Sequence, residues 1–142
     1  MTATLSTARD QVEIHLQDLT NLIWSTTTID EAMRAALAEL GNAYGASLSL
    51  EGLDGALLTT YDELDHNTLL VGTVAYALRF RLVDKIDLAS PTRVENQVLL
   101  KHAALQMAMF QSLLTQVRLR RFAVSGDCPY SQWEWDEGRT FS

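Results

Sequence analysis

Glu63 and His66 stand three residues apart, a spacing that sets a carboxylate and an imidazole on one turn of a helix. That is half of a carboxylate-bridged di-metal site in a helix bundle. A second half would put a carboxylate three residues before His15 or His102, where the chain has Val12 and Leu99. The pair is therefore expected to be a solvated cluster at a helix start. His102 falls on the apolar side of a long helical pattern, where a lone histidine reads as a hydrogen-bonded core or interface residue. Cys128 lies beside Pro129 and would need a nearby base to act as a nucleophile. Its expected state is a plain thiol in a tail. Arg118, Arg120 and Arg121 could contact phosphates, but read first as charges at a helix C-terminus. No Gly-rich phosphate loop and no Gly-x-Ser-x-Gly elbow occurs. No catalytic, metal-binding or cofactor-binding residue is expected, and no cofactor.

Charge narrows the partners. The 142 residues carry a formal net charge of −7, unevenly distributed. Residues 1–90 hold five basic and thirteen acidic side chains, residues 91–122 five and one, residues 123–142 one and four. A grip on DNA phosphates needs a basic surface, which most of this chain lacks. A helix-turn-helix reading fails likewise, because the second helix has Arg34 as its one cation beside Asp30, Glu31 and Glu39. The start of the chain lacks the basic-then-apolar run of a secretory signal. Leu69–Leu78 covers about half of the ~20 residues needed to cross a bilayer, so no membrane partner is expected. The single cysteine allows no internal disulfide.

The elements that would position these groups are helical. Two prolines and seven glycines among abundant Ala, Leu and Gln favour helix. Ala8, Val12, Leu16 and Leu19 predict a first helix over about 6–19, and Trp24 falls in the connection over 21–27. Thr28-Ile29-Asp30-Glu31 fits a capping box, opening a helix with the stripe Ile29, Met33, Leu37, Leu40 and ending at Gly41. The alternation over 47–50, the Asp54-Gly55 dipeptide and the segment 56–60 suggest a small β-hairpin or an ordered loop. A third helix, from about Asp65 or Asn67 to Lys85, is apolar on most sides and so is expected to be central. Ser90-Pro91 opens a fourth helix without a breaker before Gly126, about 45–50 Å long if it reaches Phe122. Its small-to-polar face is Lys101, Ala104, Ala108, Gln111, Thr115 and Arg118, and its apolar sector is too wide for three short partners to cover. Leu105, Met109, Phe110, Leu113 and Leu114 are the residues expected to pack against another subunit.

The fold class is thus mainly α: a bundle of about four helices over residues 1–124, the last one long, followed by an extended C-terminal arm over 125–142. Four of the eleven aromatics, Tyr130, Trp133, Trp135 and Phe141, lie in that arm. Disordered tails are aromatic-poor and interfaces aromatic-rich, so the arm reads as a partner-binding segment.

The first forty residues resemble the N-terminal segment of the head–tail adaptor (connector) proteins of tailed phages. The pattern is a short helix ending in Leu16-x-Asp18, then Trp24-Ser25, Ile29-Asp30-Glu31-Ala32 and Ala36-Leu37-x-Glu39-Leu40. Leu69-Leu70-Val71 and Ala75-Tyr76-Ala77-Leu78 are similar to that family's central helix, and a long last helix with a trailing arm completes the layout. The resemblance implies a virion structural protein of the neck, assembled in the host cytoplasm. It implies a homo-oligomeric ring, typically of twelve subunits, whose arm docks on the portal protein and whose other side meets a tail-side neck or stopper protein. DNA would pass through such a ring without sequence-specific binding. An acidic body and a sticky long helix agree with such a conduit. The alternative is a small intracellular helical interaction or regulatory module acting as a dimer.

Overall fold

The computed structural model describes residues 3–18, 23–87 and 93–124; of residues 83–87 and 93–96 the backbone alone is described. Four helices follow one another: α1 over Leu5–Leu16, α2 over Thr26–Tyr44, α3 over His66–Asp87 and α4 over Arg93–Val124. Helix α3 is the centre of the bundle, packed against α1, α2 and α4, and α2 also touches α4. This agrees with its all-round apolar sequence: Leu69, Leu70, Val74, Ala75, Ala77 and Leu78 are buried.

Each helix start has a local cause. Thr4 caps α1, its hydroxyl accepting from the Thr7 N–H at 3.3 Å. Helix α2 starts a turn earlier than the capping-box reading places it. Ser25 is the cap, accepting from the Thr28 N–H at 3.2 Å, so Thr28 lies within the first turn. Tertiary anchoring decides between these hydroxyl caps. The Asp18 carboxylate accepts from the Ile23 and Trp24 N–H groups, and the Trp24 indole donates to the Ala77 carbonyl of α3 at 2.8 Å. With Trp24 fixed there, the chain enters the helix at once. Glu31, freed from capping, pairs with Arg34, while Asp30 takes both guanidinium contacts of Arg9 at 2.8 and 2.6 Å and joins α2 to α1.

Gly41 does not end α2. The helix runs on to Tyr44, and Gly45, with φ +76°, is the left-handed cap. Gly41 is glycine because the returning chain crosses it: a Cβ there would stand 2.8 Å from the Ala46 carbonyl oxygen.

The segment 46–60 is an ordered loop, and no strand forms among the described residues. The expected tight turn is present, with Asp54 and Gly55 both at positive φ inside a 3₁₀ turn over Leu53–Gly55. Gly52 is at positive φ as well, so three of four consecutive residues leave the extended conformation and no ladder can propagate. Leu50 and Leu53 both enter the core, and hydroxyls do the stitching instead. Thr59 donates to the Ala3 carbonyl at 2.6 Å and accepts from the Glu51 N–H at 3.0 Å, and Ser49 donates to the Leu58 carbonyl. The remaining strand character is one isolated bridge between Thr4 and Glu51.

Gly72 makes room on α3 for a ring of α4. A Cβ on Gly72 would meet the ring of Phe110 at 2.5 Å, and that ring is fully buried, edge-on to Tyr76. Gly72→Ala should therefore destabilise the fold by about 1–3 kcal/mol through overpacking, despite alanine's higher helix propensity. Urea denaturation measures this, and an unchanged or raised midpoint would contradict the packing.

Candidate functional site

The groups that could do chemistry are gathered where loop 57–65 meets α1, α2 and α4. Glu63 lies in a 3₁₀ turn over Glu63–Asp65 that leads directly into α3, which begins at His66. His66 is not solvated as the helix-start reading had it. It is half-buried, one ring nitrogen 2.8 Å from the Tyr61 hydroxyl and the other 2.7 Å from the Gln11 side-chain oxygen. A neutral imidazole satisfies both, donating from Nε2 to Gln11 and accepting at Nδ1 from Tyr61. These groups, with Ala3, Thr7, Thr59 and Glu63, line a pocket of about 280 Å³. Both imidazole nitrogens are engaged within the protein, and among the described residues no three His, Cys, Asp or Glu side chains cluster as a metal site would require. The arrangement works as a clamp between α1 and the start of α3.

Burial lowers the His66 pKa from its ordinary value, since the cation would be poorly hydrated there. The unfolded chain then binds a proton at this site more readily than the folded one. Stability is fully present above the ordinary histidine pKa and falls as pH drops below it, through the lowered folded value. His66→Gln should remove that component. Denaturation midpoints between pH 7 and 5 would then fall less steeply than in the parent, and equal slopes would contradict the assignment.

The adjoining cluster is ionic. Asp65, at 1% exposure, accepts from Arg120 Nη2 at 2.5 and 2.6 Å and from the Tyr44 hydroxyl. Tyr44 in turn accepts from the Asp62 N–H at 3.1 Å, and burial, with the hydrogen bond to Asp65, pushes its phenol pKa up to about 12. The Arg121 guanidinium lies over the Tyr44 ring at 3.9 Å and reaches Asp62 at 3.8 Å. Two of the three arginines read as helix-end charges are therefore tied to residues 55 or more positions earlier. Arg118 is exposed. Sequence reasoning missed the Asp65–Arg120 pair; its one signal was an acid just before an apolar helix, answered by a basic run ending another.

Helix α4 divides its wide apolar sector between core and surface. Phe110 and Leu114 are fully buried in the bundle's own core, and Ala103 and Val117 are buried beside them. Phe110 and Leu114 were expected to contact another subunit, and at 0% exposure neither can. Leu113 is half-buried, whereas Leu105 is 59% and Met109 44% exposed, alongside exposed Val98. His102, expected in a core or interface, is exposed on the same side as Leu105. Thirty-two residues at 1.5 Å each make α4 about 48 Å long, against about 33 Å for the 22 residues of α3. Tyr130, Trp133, Trp135, Phe141 and Cys128 lie outside the described residues, as do Leu19, Ser90 and Pro91.

Among the described residues no helix is long and apolar enough to cross a membrane. Comparison with known protein families, curated proteins and solved structures found no match.

Proposed function

We propose that this protein is a structural ring subunit of a tailed-phage neck, joining the portal to the tail and lining the passage for DNA. The observation that carries the reading is the exposed apolar face of α4, with Val98, Leu105 and Met109 on a helix whose opposite face is core. A stripe of that kind marks a protein contact. The acidic body supports the conduit, because phosphates sliding past carboxylates are not held. The long last helix and the aromatics of residues 125–142 support the resemblance to head–tail adaptors.

In this reading the helical body forms the ring, and Tyr130, Trp133, Trp135 and Phe141 anchor the arm on the portal. Among the described residues the buried core runs from Leu5 to Val117. A chain ending at Val124 should keep the parent's thermal midpoint and fail to bind purified portal rings that retain the full chain. Equal retention of both would refute the anchoring, and retention of neither would remove the portal as partner. The competing reading is a helical interaction module dimerising through α4, which the same stripe would serve. A solution mass that stops at two copies would favour it.

A further inference from the structure

We propose that the last two turns of α4, residues 118–124, open from the bundle as a unit of their own, latched by Arg120 and Arg121 rather than by the core. The inference concerns the single subunit, and it stands or falls whatever the chain assembles with.

Burial supplies the first half of the argument. The buried core members on α4 are Ala103, Phe110, Leu114 and Val117, and among the described residues none follows Val117. Beyond that point the large apolar side chains face water: Leu119 is 64% and Phe122 48% exposed. Arg118 and Ala123 are exposed as well. A helical segment with few buried apolar contacts opens at a lower free energy than the whole fold.

The contacts that do hold this end are polar, and the dock that receives them is built without α4. Tyr44 of α2 accepts from the Asp62 N–H at 3.1 Å and donates to the Asp65 carboxylate, which joins α2 to the turn before α3. Arg120 Nη2 then reaches Asp65 at 2.5 and 2.6 Å. Arg121 lies over the Tyr44 ring at 3.9 Å and reaches Asp62 at 3.8 Å. Two adjacent residues make these contacts on one dock, so the contacts are made and lost together. Lifting the whole end also lets water reach the Asp65 carboxylate, a relief that a closed dock without its guanidinium does not offer. The opening is therefore one step, not a gradual fraying back from Val124. The start of residues 125–142 moves with it.

The test is residue-resolved hydrogen exchange on the full chain, followed by NMR over urea concentrations below the unfolding transition. The amides of residues 119–123 should share one protection level, at least about tenfold below that of 110–117. Their urea slope should be smaller, because little surface is uncovered. Arg120→Ala should lower the shared level about tenfold or more. Arg121→Ala leaves the buried pair in place, so its fold is secure, and should lower the level about threefold. Exchange of 119–123 at the level and slope of 110–117 would overturn the separate unit. Protection that falls off residue by residue towards Val124 and ignores both substitutions would be ordinary fraying, and would overturn the latch.

Discussion

Arg120→Ala should cost about 2–4 kcal/mol of folding stability, the largest loss expected from removing any single charge among the described residues. The reason is the position of its partner. Asp65 is 1% exposed, and its carboxylate is held by two contacts from Arg120 and one from the Tyr44 hydroxyl. Removing the guanidinium leaves a buried anion with one neutral donor, which is the costly way to break a pair. The range is set below that for fully buried pairs because the Arg120 side chain itself is 40% exposed. Adding Asp65→Asn to Arg120→Ala should recover part of the loss, since the charge then goes with its partner. Urea denaturation with an unchanged slope measures it. A loss below about 0.5 kcal/mol would class the pair with ordinary surface ion pairs.

If the proposed ring packs through α4, Leu105→Asp combined with Met109→Asp should abolish its assembly while leaving the fold within about 0.5 kcal/mol of the parent. Both side chains are substantially exposed, so the carboxylates stay hydrated in the free subunit and are desolvated on assembly. The neighbouring residue behaves in the opposite way. Phe110 packs under Gly72 and Tyr76, and Phe110→Ala should cost about 3–5 kcal/mol through the cavity it leaves. Sedimentation and thermal melts on the same samples separate the two effects. An assembly that survives the double aspartate would take α4 out of the subunit contact.

These neighbours also mark what could be read from the chain alone. The centrality of α3 followed from apolar residues on most sides, and the length of α4 from the lack of any breaker before Gly126. The division of α4 into core and exposed faces was not readable, because its apolar sector is wide and only the direction of α3 chooses between Phe110 and Met109. Local chemistry misplaced the start of α2 for a similar reason. Ser25 and Thr28 are both good caps, and the choice is made by Trp24, whose indole is fixed on a carbonyl 53 positions later. Asp54-Gly55 announced its turn, yet leucines turning to one core instead of alternating across a sheet denied the flanking strands. Gly72, isolated in an apolar helix, was a readable sign of close approach, though not of which ring approaches. The ion pair of Asp65 and Arg120, 55 residues apart, left only complementary charge as a trace.

The central claim, a ring subunit between portal and tail, is tested most directly by quantitative mass spectrometry of purified DNA-containing particles from the source. The account predicts the protein at a fixed low copy number comparable to that of the portal subunit. Its absence from such particles would contradict the account and give first place to the dimeric helical module.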